Sequence, residues 1–436
     1  MAVPSPWSLK DGVDLPDGLS LSGTARLRYE SLSGQPRVGL SASDTLTTSR
    51  ITLLATYQLD WVRLVAEIYD SRAYGGHAAG SVGVNDVNAL EPLQAYVLFD
   101  LGNRLGAEKF TVQAGRFLLA LGSRRLLATE DYRNSNNSYT GVRTDFSLGG
   151  TAVTLFYTLP HIILPHDKPG ILNNDVTFDL ETFDLTMWGG YLERPHLFGE
   201  IEGDVTYLHL DQHDAPGRPI QNRSLDTLDA RLIRNPKPGS FDYEGEAAYQ
   251  TGTIRDNLTA AAPRLDVSAW FAHLSAGYTF PAAWSLRLSL QGDYASGDGP
   301  GSGYQRFDTL YGLRRADFSP GGIFSAVGRA NIVSPAIRIE AIPTARFDLF
   351  ATYRPMWLAS STDAFSTTGV RDATGKAGNF AGHQVEGRAR YWLVPDALVL
   401  EANGALLFKG SQLTQSPNSL ATGDTAFGAI SIMTFF

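Results

Sequence analysis

The stretch from Val267 to Asp298 limits what this chain can become. Ser268, Trp270, Ala272, Leu274, Ala276, Tyr278 and Phe280 fall on one parity, and Phe271, His273, Ser275, Gly277 and Thr279 on the other. Period two is the mark of a strand whose faces meet different surroundings. After Pro281 to Trp284 a second strand begins, with Leu286, Leu288, Leu290, Gly292 and Tyr294 alternating with Ser285, Arg287, Ser289, Gln291 and Asp293. One of its faces suits hydrocarbon and the other suits water. A polar, Gly-rich connection then runs from Gly297 to Arg329. Long strand, tight turn, long strand and long loop form the repeating unit of a transmembrane β-barrel.

The same grammar covers the chain. Strands are expected at Leu19–Glu30, Leu46–Gln58, Val62–Ser71, Leu93–Asp100, Lys109–Phe117, Gly141–Leu148, Thr151–Leu159, Glu181–Tyr191, Glu200–Leu210, Thr227–Arg234 and Phe241–Thr251. The hairpin above follows, then Val333–Ala341, Arg346–Met356, Gly382–Leu393, Leu398–Lys409 and Thr425–Phe436. The fold class is therefore all-β, an antiparallel transmembrane barrel of about 18 strands with short periplasmic turns and long extracellular loops. Connections after even-numbered strands are short (Asp60-Trp61, Gly149-Gly150, Pro395-Asp396) and those after odd-numbered ones long, which puts both termini on the periplasmic side. Trp61, Phe146, Phe241, Phe280, Trp284, Phe347 and Trp392 beside the short turns, and Tyr29, Tyr69, Tyr207, Tyr294 and Tyr353 near the long loops, are expected to form two aromatic girdles. Terminal Phe436, with Ile430 and Ile432 on its parity, resembles an outer-membrane insertion signal and implies the barrel-assembly machinery as a partner.

No run of eighteen apolar residues exists, so helical membrane spans are excluded, and a mean hydropathy of −0.12 is what dispersed alternation produces. Residues 1–436 read as one barrel domain, with 1–18 as a short periplasmic segment, because a closed sheet needs no internal boundary. Met1-Ala2-Val3-Pro4 lacks a basic and apolar leader, so the sequence is expected to be a mature form. The absence of cysteine suits an envelope location and excludes disulfides and thiolate metal sites. A net charge of −9 without a Lys/Arg cluster argues against nucleic acid. Six lysines among 36 basic residues leave 30 arginines, the side chain that grips carboxylates bidentately.

Assigning the apolar parity to outer-membrane lipid and lipopolysaccharide leaves the inner face to the charges. Arg116 is the exception, on the parity of Phe110 and Val112; a bulge at Gly115 would turn it inward, and an interfacial position would also tolerate it. The inward charges are segregated. Arg26, Arg28, Arg50 and Arg63 join Arg287, Arg338, Arg346, Arg354, Arg388, Arg390 and Lys409 across the closure. Asp184, Glu200, Glu202, Asp204, Asp229, Asp242, Glu244 and Glu246 lie opposite. The expectation is a transverse field that orients and selects solutes. The alternative is that these groups pair locally, as Glu340 and Asp348 do with Arg338 and Arg346 in the simplest arrangement.

GxSxG, CxxC, HExxH and P-loop motifs are all missing, so no common catalytic or phosphate signature supports an enzyme, and no cofactor is implied. His209, Asp211, His213 and Asp214 form a weak metal pattern at a strand edge. Asp293, Ser296 and Asp298 in DYASGDG lack the spacing of a calcium loop and read as turn chemistry.

Four longer strings carry a family resemblance: AGRFLLALGSRRLLATEDYRNSNNSYTGVRTDF at Ala114 to Phe146, YEGEAAYQTG at Tyr243 to Gly252, YTF with DYASGDG and FDTLYG between Tyr278 and Gly312, and GHQVEGRARYWL at Gly382 to Leu393. They resemble the alginate-export family of outer-membrane channels. The resemblance implies an eighteen-stranded integral outer-membrane barrel and passage of an acidic polysaccharide through an arginine-lined pore. By position Arg116, Arg125, Arg133 and Arg143 match the family's motif arginines. They join Arg26, Arg28, Arg50, Arg63, Arg287, Arg338, Arg354, Arg388, Arg390, Glu202, Asp204, Glu244, Glu246 and Asp293 as expected path-lining residues. Two departures bear on the solute: the acidic wall would repel a polyuronate, and the periplasmic turns are too short to supply a plug. The expected function is a passive porin for anionic or polar saccharides and similar acids, with a dedicated exopolysaccharide exporter as the alternative and a barrel enzyme or adhesin third.

Overall fold

Eighteen strands follow the alternation in chain order. They are β1 (Leu19–Ser33), β2 (Ser43–Leu59), β3 (Val62–Tyr74), β4 (Asn88–Asp100), β5 (Lys109–Phe117), β6 (Tyr139–Leu148), β7 (Thr151–Pro160), β8 (Leu185–Phe198) and β9 (Ile201–Gln212). The second half contains β10 (Ser224–Arg234), β11 (Phe241–Arg255), β12 (Arg264–Thr279), β13 (Arg287–Ala295), β14 (Ile332–Thr344), β15 (Phe347–Trp357), β16 (Phe380–Val394), β17 (Leu398–Lys409) and β18 (Thr425–Phe435). The computed structural model describes Gly12 and residues 15–436, apart from 104–105, 130–131, 216–217, 314–316 and 319–320. Most of the expected periplasmic segment 1–18 lies outside the described residues.

Each strand pairs antiparallel with its sequence neighbours, and β1 also pairs with β18, from Thr24 opposite Phe435 to Ser33 opposite Ala426. The sheet thus has no free edge, the condition for satisfying backbone groups in hydrocarbon. Outward positions are bare, as with Leu274 at 65% and Leu290 at 62% exposure, and would be covered only by lipid. Connections sort by parity: 60–61, 149–150, 199–200 and 345–346 against 118–138, 161–184, 296–331 and 358–379.

Two expectations change. β8 starts at Leu185 rather than Glu181, because Thr182 and Asp184 close a turn (Thr182 Oγ1 to Asp184 Oδ2, 2.9 Å; Leu185 N to Thr182 O, 3.2 Å), which leaves Asp184 off the wall. Tyr69, assigned above to the outer girdle, is buried at 1% exposure, while Tyr29, Tyr207, Tyr294 and Tyr353 are exposed as expected.

The apolar core sits inside the bore. Loop residue Phe307 stacks on inward-facing Phe271 with centroids 5.5 Å apart, Phe324 lies tilted against inward-facing Phe427 at 5.7 Å, and Tyr311 meets Tyr139 edge-on at 5.6 Å. Burying side chains of this size is worth about 1.5–3 kcal/mol each, which draws the long loops inward. A short helix, α1 (Lys168–Asn173), is capped by Asp167 and by left-handed Asn174, and Lys168 Nζ ties it to the Gly80 and Val82 carbonyls. A second, α2 (Ser411–Gln415), lies between β17 and β18.

Candidate permeation path

The loop after β13 is folded back by the DYASGDG string. Ser296 Oγ accepts from Trp270 N at 2.8 Å and donates to Gln305 O at 2.6 Å, while Asp298 Oδ1 accepts from Gln305 N at 3.1 Å. Gly297 is required by proximity, since a Cβ there would lie 2.0 Å from Asn331 Oδ1. The aspartates of this string therefore serve a turn and the wall.

The loop between β5 and β6 is seated on the expected basic wall. Arg26 Nη2 donates to Arg133 O at 3.0 Å and Asn134 Oδ1 at 3.1 Å, and Arg50 Nη1 to Arg133 O at 3.0 Å. Arg28 pairs with Glu30 at 2.9 Å and donates to the Tyr132 carbonyl, while Tyr132 OH reaches Glu30 Oε1 at 3.0 Å. Asn134 Nδ2 bridges Ser49 O and Asp86 O, each at 2.8 Å. These arginines hold a loop, and Arg26 and Arg28 are buried beneath it.

Across the bore the same loop meets the acidic wall. Arg125 forms a two-bond fork with Asp317 of the β13–β14 loop, both bonds 2.8 Å, and its Nη1 reaches Glu244 at 2.7 Å and also Glu246. Arg329 pairs with Asp317, and fully buried Arg354 donates to the Asp317 carbonyl and lies 3.4 Å from Asp293. His273 Nδ1 stands 2.8 Å from Asp293 Oδ1. Burial alone would push the Asp317 carboxyl up; Arg125 and Arg329, followed by His273, outweigh it and hold the group well below the usual carboxylate range. His273, Asp293 and Asp317 offer ligand atoms within 4.8 Å of one another. Three guanidinium groups already occupy those carboxylates, so the cluster is an ion-pair network fastening two loops.

Below this constriction, cavities of about 350 and 640 Å³ lie along the inner wall, and a third of about 400 Å³ opens between the long loops. Arg287 sits 2.5 Å from both Asp242 and Glu340, and Arg338 is 3.0 Å from Glu340. Arg388 and Arg390 share Asp348 at 2.6 and 2.8 Å, and Arg338 and Arg388 flank the Phe350 ring at 3.8 and 5.2 Å. Arg231, not singled out in the sequence although it stands on the inward parity of β10, pairs with Asp204 at 2.8 Å, Glu202 at 3.4 Å and Glu244 at 3.6 Å.

The remaining expected residues are spread along the bore. Arg143 pairs with Asp145 at 2.8 Å, Arg63 donates to Gln58 at 2.8 Å, and Arg133 donates to Asn85 at 2.8 Å beside the upper cavity. Gly115 adopts φ +126, and Arg116 pairs with Glu91 at 2.6 Å and with Asp179 of the β7–β8 loop at 3.2 Å. Glu200 and Arg346 occupy turns. Lys409 donates to Gln35 O and Thr422. His209 pairs with Asp226 at 2.9 Å and His213 with Asp211 at 2.8 Å. The segregated field across an open bore is corrected accordingly: loops interposed between the walls carry cations to the acidic side and backbone carbonyls to the basic side.

A closed antiparallel barrel with a bare apolar exterior and a charged, loop-narrowed bore defines an integral outer-membrane channel. The chain belongs to the alginate export family, whose model matches residues 17–426. Comparison with the curated proteins finds no match. Among solved structures the fold is similar to OccK8 (OprE) of Pseudomonas aeruginosa at 10% identity, covering 96% of this chain and 98% of that one, TM-score 0.59. It is also similar to the outer membrane protein opdK of the same organism (13%, covering 96% and 99%, TM-score 0.57). A BenF-like porin from Pseudomonas fluorescens is a third (11%, covering 96% and 99%, TM-score 0.59). These likenesses are likenesses of fold.

Proposed function

We propose that the barrel is a passive porin for small anionic or polar solutes, uronate-type saccharides among them. The observation that carries this reading is the lining of the two lower cavities, where arginines outnumber carboxylates seven to five among the described residues. Such a lumen raises the local concentration of anions without binding them tightly. A bore narrowed by two packed loops favours short solutes over a polymer. Export of an alginate-like polysaccharide is the second reading, and family membership is what favours it.

Arg388 and Arg390 supply the test. Replacing both with Glu changes the local charge by four units. A monovalent ion passing at about 8 Å then meets a change of about 2 kcal/mol at the dielectric constant of water. Screening at roughly 0.1 M salt reduces that to about 1 kcal/mol, roughly a fivefold change per ion. The reversal potential should move toward cations, more at low salt, with the barrel still closed. An unchanged reversal potential at low salt would show that these side chains only solvate the wall. Conductance block by galacturonate, glucose and longer uronate chains separates the two readings, because an exporter must admit the long chains.

A further inference from the structure

Asp229 on β10 is anomalous. It is only 4% exposed, its Oδ1 has no hydrogen-bond partner, and no ion pair joins it to another described residue. It faces Thr206 of β9 and Ala248 of β11 across the register, and Asp204 and Glu246 flank Arg231 one inward step further along. The strongest charges acting on it are therefore the carboxylates Glu246 and Asp204.

The nearby cations are already engaged. Arg231 Nε lies 2.8 Å from Asp204 Oδ2, and Arg125 is taken by Asp317, Glu244 and Glu246. Glu246 Oε1 additionally accepts from Ser123 at 2.8 Å. Asp204 Oδ1 is a second buried oxygen without a partner. Gly122 of the β5–β6 loop roofs this spot at φ +54, and a Cβ there would lie 3.3 Å from Asp204 Oδ1, 3.9 Å from Thr206 Oγ1 and 3.2 Å from the Tyr191 ring. One orphaned carboxylate oxygen, that of Asp204, and the Thr206 hydroxyl thus lie beneath this loop, and Asp229, opposite Thr206 in the register, is the diagonal inward neighbour of Asp204. A buried carboxylate left uncompensated is costly, and an all-oxygen donor set suits a hard divalent cation.

We infer that Asp204 and Asp229, with the Thr206 hydroxyl beside them, hold a divalent cation of the calcium class that fastens the β5–β6 loop to the β9–β10 wall. The cation balances the excess of carboxylates there and seats Gly122 over it, so that the loop is anchored on the side opposite Arg26.

Terbium is the probe, because Tyr191 stands beside the site and sensitises its emission. The full chain, refolded in detergent, is titrated with Tb³⁺ under tyrosine excitation. The expected result is saturable emission displaced by Ca²⁺, with affinity weakened roughly tenfold or more in Asp229→Asn and unchanged in Asp348→Asn. Wild-type protein should also melt at a higher temperature in Ca²⁺ than in EDTA, a readout that stands even if Asp229→Asn does not fold. Gly122→Ala, which crowds the site without altering its charge, should weaken binding as well. Equal melting in Ca²⁺ and EDTA together with no displaceable emission overturns the proposal. So does an Asp229→Asn barrel that binds like wild type. A variant that melts higher while wild type binds nothing identifies Asp229 as a neutral acid and rejects the cation.

Discussion

Replacing Arg125 by Gln should open the constriction. This side chain holds a loop-to-loop attachment, the fork to Asp317, and a loop-to-wall attachment, the contacts to Glu244 and Glu246, at once, and it is buried. Removing one partner of a buried ion pair costs about 3–5 kcal/mol, because the other charge is left in a poor solvent. Arg329 still reaches Asp317, so the lower figure applies. A loss of about 3 kcal/mol shifts the ratio of seated to released loop roughly 150-fold. Single-channel recording in planar bilayers reads this directly as larger steps with flicker between two levels. Asp317→Asn should give the same widened state, and the double variant should fall short of the sum, since each single change already removes the pair. Steps of unchanged size and noise from Arg125→Gln, in a barrel that still migrates as a closed species, would refute the claim that this arginine holds the constriction.

Three further outcomes are expected. Deleting Phe436, whose N and O pair with Gly23 O and N at 3.0 and 2.7 Å, should lower the membrane-inserted fraction in an insertion assay; normal insertion would reject the terminal-signal reading. A cysteine at Ser302 should react with a membrane-impermeant maleimide in intact cells, and labelling only after permeabilisation would invert the topology. Gly297→Ala forces the Asn331 side chain away from its bonds to Ser360 and Ala364, and overpacking of this kind costs about 1–3 kcal/mol, visible as a lower melting temperature.

The strands were legible because period two is a local property. Trp270, Leu274, Leu288 and Leu290 declare the lipid face from nearest neighbours alone, and the order of short and long connections follows from it. Boundaries slipped where turn chemistry imitates a strand, as at Thr182 to Asp184. The inward placement of Arg26, Arg28 and Arg354 was legible in the same way, but their partners were not. Arg28 meets Tyr132, and Arg354 meets Asp317, through chain separations of 104 and 37 residues, by way of backbone carbonyls that carry no residue-type signal. Arg231 was within reach of parity alone, because it shares the inward parity of Asp229 on β10. What parity does not contain is the return of loops into the bore, which is driven by Phe307 and Phe324 finding Phe271 and Phe427 inside an otherwise polar lumen.

The β13–β14 loop is attached on both sides of the closing seam. Glu30 of β1 accepts the Ile323 amide at 2.8 Å, Phe324 packs against Phe427 of β18 at 5.7 Å, and β1 meets β18 only when the cylinder is complete. That loop therefore gains both attachments together only once the last strand has paired with the first. The β13–β14 contribution to the constriction is thus coupled to zipping of the seam. A barrel stalled just short of closure would lack this loop's seat and present a wider bore than the finished channel.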